Sequence, residues 1–298
     1  MNVSSPPEDF LEVRKPGLLV WIRKGFSFLL DEEGVWRQDR AFCPVDGVSS
    51  YSGRGELLRV SLGPMGDSCA LIRHYQRGGV FGHLLRDFYL GRTRFLQEVR
   101  VSEWARDQDI PTAEVLALRI EQKGLCLYRG DLVTREIEAS EDLDEYLKSA
   151  RTRDWSTKDR GKEIIRSVAL LLQAMHRAGL YHADLNLKNI LVQITERGVN
   201  SYVIDLDRAR VIRPLGSRMR IRNLVRLYRS LDKQGYLNDL VGMRDVVAFV
   251  RAYCGEDREL LTVCKEVMRK DVWLLRCHRA GLRLSRGLLK IGRGRDDG

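Results

Sequence analysis

Leu180-Tyr181-His182-Ala183-Asp184-Leu185-Asn186-Leu187-Lys188-Asn189-Ile190-Leu191-Val192 decides how the rest of the chain is read. Asp184 and Asn189 lie five residues apart, between an apolar helix and a short apolar strand. Upstream, Ile164, Ile165, Val168, Leu171, Leu172 and Met175 recur at helical spacing, and Gly179 stands where a helix C-cap belongs. Downstream, Ile190 to Gln193 and Tyr202 to Ile204 read as two short strands joined by a turn at Arg197-Gly198. Asp205 follows the second strand directly, sixteen residues after Asn189. The order is helix, loop, hairpin, and then a second acid.

Phosphoryl transfer asks little covalent chemistry of a protein. It needs positioning, metal ions that bridge the phosphates, and a carboxylate that accepts the proton of the attacking hydroxyl. The pattern His-x-Asp-x4-Asn followed by three apolar residues matches the catalytic loop of kinases, and Asp205 falls where the Asp of a D-F-G motif falls. Asp184 is therefore the candidate base. Asn189 and Asp205, with hard oxygen atoms, are the candidate Mg²⁺ ligands. His182 reads as a residue that orders the loop. The alternative is that these are turn residues and a helix cap, roles in which Asp and Asn are common.

The upstream half is expected to supply a phosphate cradle and a cation with its partner. Gly53-Arg54-Gly55 is either a turn whose amides approach phosphates or an ordinary hairpin turn. Ala70-Leu71-Ile72-Arg73 stands in the place of V-A-I-K, with Arg73 as a bidentate fork instead of lysine. Glu98, on a helix expected over Thr93 to Arg106, is the natural ion-pair partner; the alternative is two solvated surface charges. Strands are expected at Glu56 to Leu62 and Ser68 to Tyr75, with a hairpin from Leu116 to Leu127 turning at Gln122-Lys123-Gly124. A helix start is expected at Ser140, ahead of the acids at 141 and 142. The fold class is α+β, protein-kinase-like and bilobal. Residues 1–137 form a β-rich N-lobe for nucleotide, and residues 138–298 a mainly helical C-lobe with the catalytic loop and acceptor site. A hinge lies near Thr134 to Ser140, and a ligand cleft between the lobes is the default.

Composition sets bounds on partners. The 298 residues are 44% hydrophobic and 31% charged, a globular balance, and the net charge of +10 favours an anionic partner. Six cysteines form no C-x-x-C pair and no zinc spacing, and read as reduced thiols of a cytosolic protein. Residues 1–10 carry no apolar h-region, and no run approaches the ~18 apolar residues of a membrane span, so membrane contact is expected to be peripheral. Between Arg208 and Arg229 stand eight arginines and no acid, either a site for carboxylates and phosphates or a solvated helix face. No A-P-E motif follows Asp205, which favours a small-molecule or lipid-linked acceptor over a polypeptide. The basic, leucine-bearing tail from Arg276 to Arg295 either lies on an anionic membrane surface or packs as a terminal helix. No helix-turn-helix, zinc or RNP-type signature supports nucleic-acid binding.

Longer stretches resemble the lipopolysaccharide kinase family, and within it the members acting on 3-deoxy-D-manno-octulosonic acid (Kdo). They are Gly53-Arg54-Gly55, Arg73-His74-Tyr75-Gln76-Arg77-Gly78-Gly79, Phe95-Leu96-Gln97-Glu98 and Tyr128-Arg129-Gly130-Asp131-Leu132-Val133-Thr134. The series continues with His182-Ala183-Asp184-Leu185-Asn186, Ile204-Asp205-Leu206-Asp207-Arg208 and Asn223-Leu224-Val225-Arg226-Leu227-Tyr228-Arg229-Ser230-Leu231. The resemblance implies ATP-dependent phosphorylation of a sugar hydroxyl, the 4-position of Kdo in the lipopolysaccharide inner core. The acceptor would be Kdo-lipid A or core lipopolysaccharide, at the cytoplasmic face of the inner membrane. It implies that Asp184 is the base, that Asn189 and Asp205 hold Mg²⁺, and that Arg73 with Glu98 organises ATP. Lys188, inside the loop, shares the phosphate role with Arg73 as a candidate. A heptose kinase of the same family, an atypical protein kinase and a nucleotide-binding pseudokinase stay open as alternatives.

Overall fold

Alternating apolar side chains in the first half of the chain assemble one antiparallel sheet. The computed structural model describes residues 5–27, 57–62, 68–76, 87–152, 158–237, 239–267 and 269. The sheet comprises β1 (Phe10–Lys15), β2 (Leu18–Arg23), β3 (Leu57–Ser61), β4 (Cys69–His74), β5 (Tyr89–Leu90), β6 (Val115–Gln122) and β7 (Leu127–Arg135). Its order is β1-β2-β6-β7-β4-β3, with β5 pairing to β7. Alternation sorts the side chains to two faces. Val20 and Ile22 join Val60, Ile72, Ala117 and Val133 on one face. Trp21, Leu118 and Leu132 meet Phe95, Leu96 and Val99 of α1 (Thr93–Asp107) on the other.

Helix α1 is buried on two sides. Phe95, Leu96 and Val99 pack on the sheet, while Val101 and Ala105 belong to the helical core. Its approach to β7 depends on Gly130, where an added Cβ would stand 2.7 Å from the Phe95 ring. The hairpin expected from Leu116 to Leu127 is the β6–β7 pair, and the two strands expected around the turn at 63–67 are β3 and β4. Strands β1 and β2 were not anticipated as a pair; Gly17, at φ +75°, makes the turn between them.

The remainder is mainly helical: β8 (Ser140–Asp142), α2 (Leu143–Thr152), α3 (Lys158–Ala178), β9 (Leu180–Tyr181), β10 (Ile190–Thr195), β11 (Gly198–Val203), β12 (Arg210–Val211), α4 (Ser217–Lys233) and α5 (Met243–Cys254). The helix start expected at Ser140 is displaced. Ser140–Asp142 pairs with β10, and the Asp142 carboxylate accepts the backbone N–H of Glu145 at 2.9 Å, as an N-cap does. The strand pairing wins because β10 otherwise has an open edge. The stripe anticipated on α3 faces the core through Ile164, Val168, Leu171, Leu172 and Met175. Gly179, at φ +98°, ends α3 where a Cβ would lie 2.6 Å from the carbonyl of Ile212. Helices α2 to α5 leave an apolar cavity of about 400 Å³ among residues that include Leu147, Val168, Leu224, Val246 and Phe249. Among the described residues, no helix is long and apolar enough to cross a membrane.

Candidate active site

The loop after β9 is irregular, so its backbone groups need partners, and its own asparagines supply several. The carbonyl of Asp184 accepts the Asn186 side-chain amide at 2.9 Å and the Asn189 amide at 2.8 Å. Asn186 also accepts the Lys188 N–H at 2.9 Å, closing a short 3₁₀ turn over Leu187–Asn189. The backbone is thus wound around the Asp184 carbonyl while the residue itself stays exposed. Asn189 is buried beside it, and its own carbonyl accepts the N–H of Ile204 at 3.0 Å. That bond fastens the Asp184–Asn189 loop to the residue before Asp205. The three residues expected to converge therefore come from two loops that are hydrogen-bonded to each other.

His182 fixes the same junction from below. Its Nδ1 accepts the N–H of Asp184 at 3.2 Å, so its Nε2 carries the proton and donates to the Ile204 carbonyl at 3.0 Å. Burial lowers its pKa, which keeps the ring neutral and this tautomer in place. The buried side chain of Asn223 brackets His182, donating to its carbonyl at 2.7 Å and accepting its N–H at 3.2 Å. Nothing local in the sequence assigns Asn223 a role. The only available signal was its place at the head of the Asn223–Leu231 stretch.

Across from this loop, Arg73 on β4 bonds Glu98 on α1 through Nη2 and Asp205 through Nη1, the latter at 2.5 Å. The Tyr75 hydroxyl donates to the second Glu98 oxygen, and the Arg73 guanidinium lies 4.9 Å from the Tyr75 ring centre. Burial pushes the Glu98 carboxyl up to about 7, against the opposing pull of Arg73. Asp205 sits at φ +60°, an uncommon conformation for a residue with a side chain. Its exposed carboxylate and its neighbours separate sharply: Leu206 enters the core, and Asp207 makes a bidentate pair with Arg94 on α1.

Lys188 is exposed in the 3₁₀ turn, and among the described residues no acid pairs with its ammonium group. Gly53-Arg54-Gly55 lies outside the described residues, as does the tail from Arg276. Of the eight arginines between 208 and 229, Arg213 binds the Ala178 carbonyl and Gln108, and Arg220 binds the Leu215 carbonyl, so part of that charge is structural.

The donor set suits Mg²⁺. Among the described residues no three His, Cys, Asp or Glu gather into a cage. Mg²⁺ is ordinarily held by one or two protein ligands, with phosphates and water completing its octahedron. One carboxylate, Asp205, and one amide oxygen, Asn189, fit that pattern.

The family model of the lipopolysaccharide kinases (Kdo/WaaP) matches residues 48–253, a span that contains every one of these groups. The chain belongs to the lipopolysaccharide kinase (Kdo/WaaP) family. Membership makes it a phosphotransferase. The chain is 29% identical over 214 residues to the 3-deoxy-D-manno-octulosonic acid kinase of Vibrio cholerae, covering 70% of this chain and 84% of that one. It is 32% identical over 194 residues to the enzyme of the same name from Haemophilus influenzae strain PittEE, covering 63% and 76%. The solved structure described as "WaaP in complex with acyl carrier protein" superposes with a TM-score of 0.51 at 22% identity, over 78% of this chain and 86% of that one. That likeness supports the protein-kinase-like, bilobal arrangement for this lipopolysaccharide kinase family member, with a β-rich lobe and a helical lobe.

Proposed function

We propose that the chain transfers the terminal phosphoryl group of ATP to the 4-hydroxyl of Kdo in the lipopolysaccharide inner core. The observation that carries this is the hydrogen-bonded junction of the Asp184–Asn189 loop with the Asp205 loop, facing the Arg73–Glu98 pair. The acceptor sugar is favoured by relatives named for acting on it.

In this reading residues 1–137 bind the nucleotide, residues 138–298 carry the acceptor site, and the reaction occurs in the cleft between them. Asp184 accepts the proton of the sugar hydroxyl. Arg73, held by Glu98, and Lys188 neutralise the phosphates. Asn189 and Asp205 would hold Mg²⁺, which on binding screens the charge of the transferring group. His182 keeps the base oriented without titrating. The exposed arginines at 208, 210, 218, 222 and 229 favour an acceptor rich in carboxylate and phosphate, and hence work at the cytoplasmic face of the inner membrane as a peripheral protein.

An assay with Kdo-lipid A, ATP and Mg²⁺ tests the reading. Turnover is expected with the natural chain, and Asp184→Asn is expected to lose about 10³-fold in rate while still binding ATP. Unchanged turnover in that variant would discard the base assignment. Phosphate on heptose, or on protein, would move the acceptor to one of the other readings. ATP binding without turnover on any of these would leave a pseudokinase.

One partner is favoured by a separate observation. The structural neighbour is described in complex with an acyl carrier protein, and this chain has an apolar cavity of about 400 Å³ in its helical lobe. An acyl chain presented by such a carrier is the occupant of that cavity we propose. Filling the cavity with Val246→Phe should abolish binding of purified long-chain acyl carrier protein and spare ATP binding. Equal binding by the variant, or by carrier without an acyl group, would refute the cavity's role.

A further inference from the structure

Helix α4 runs from Ser217 to Lys233 beneath the catalytic loop, and Asn223, Arg226 and Ser230 lie on one face of it, at i, i+3 and i+7. Each touches backbone of the loop. Asn223 binds both the N–H and the carbonyl of His182. An Arg226 guanidinium N–H donates to the carbonyl of Ala183. The Ser230 hydroxyl accepts the N–H of Leu187 at 3.4 Å. The three contacts bracket Asp184 on both sides. Asn223 is fully buried, whereas Arg226 is exposed, so burial alone does not explain why all three side chains turn to the same stretch of backbone.

We infer that Asn223, Arg226 and Ser230 form a clamp on α4 that sets the direction of the Asp184 carboxylate. They are positioning residues and do not touch the reacting atoms. The inference rests on the reading of Asp184 as the base. Irregular backbone is held in one shape only by such fixed partners. A base displaced by about 1 Å loses on the order of 10²-fold in rate. Arg226 is the informative member, because an exposed arginine beside a catalytic loop has an obvious second use as a contact to an anionic acceptor. The two roles separate in kinetics: a positioning residue changes kcat, while a binding residue changes the KM of its ligand.

The test uses the full chain with ATP, Mg²⁺ and Kdo-lipid A. Arg226→Ala is expected to lower kcat about 10- to 100-fold, with the KM of both substrates within about 2-fold and the melting temperature nearly unchanged. Arg226→Lys, which can still donate to a carbonyl, is expected to recover most of the loss. Ser230→Ala should give a smaller drop in kcat. The double variant should lose less than the product of the two single losses, because both act through one loop. A rise in acceptor KM at constant kcat would make Arg226 a substrate contact and overturn the clamp, and so would full activity of Arg226→Ala. Should Asp184→Asn retain turnover, the base assignment fails on its own and the Arg226 results still report whether the loop is held from α4.

Discussion

Arg73 stands where a lysine is expected, and the geometry shows what the exchange permits. Its planar fork reaches two carboxylates at once, Glu98 and Asp205, where an ammonium point charge serves one direction at a time. Glu98 is buried with both oxygens engaged, and its pKa rises to about 7 because burial outweighs the attraction of Arg73. Below that value the carboxyl takes up a proton and stops anchoring the guanidinium. The acid limb of kcat/KM is therefore expected near pH 7. Glu98→Gln should give a low rate without that limb; a limb of the same midpoint in the variant would show that another group causes it. Arg73→Lys is expected to keep the charge, lose one of the two contacts, and fall about 10-fold or more in kcat/KM.

Three helices are joined behind the Asp184–Asn189 loop by one buried network. His176 on α3 bonds Asn223 on α4 at 3.1 Å and the Tyr253 hydroxyl on α5 at 2.7 Å. Burial drives its pKa down to about 4, so the folded chain holds it neutral. The unfolded chain takes up its proton near 6.5, so the stability that neutral His176 contributes is complete above that pH. It is lost as the pH falls from 6.5 toward 4. His176→Gln destabilises at pH 7.5, and its penalty relative to the natural chain should shrink by about 3 kcal/mol as urea titrations are moved to pH 4. A penalty independent of pH would show that His176 ionises freely in the fold. The sheet has its own sensitive contact. At Gly130 an alanine methyl would press on the Phe95 ring, and Gly130→Ala is expected to cost about 1–3 kcal/mol in urea unfolding.

Across the whole molecule, α1 connects the sheet to the site. One side of it completes the sheet's core and another enters the helical core. Its polar side chains then tie the segment after β11, through the Arg94–Asp207 pair and a bond from the Gln97 amide to the Ala209 carbonyl at 3.4 Å. Asp205 lies between these ties and the Arg73 contact, so the position of α1 sets the position of a candidate Mg²⁺ ligand. Arg94→Ala and Asp207→Ala should each lower kcat/KM about 10-fold, and the double variant should lose little more than either. Independent losses would mean that the pair does not act as one link.

The linear order of residues was enough to propose a candidate site and to read the architecture around it. Asp184, Asn189 and Asp205 announce themselves by spacing, and the 2-residue and 3.6-residue periods of the apolar side chains separate strands from helices. These signals are local, so they survive being read one stretch at a time. Contacts over long sequence separation carry no such signature. Nothing near Ser140 reveals that β10 will claim it as a strand, and nothing near Asn223 reveals that its amide will hold His182, forty-one residues away. Buried polar groups must find partners wherever the fold brings them, and that pairing was decided only when the helices and sheet had closed around the loop.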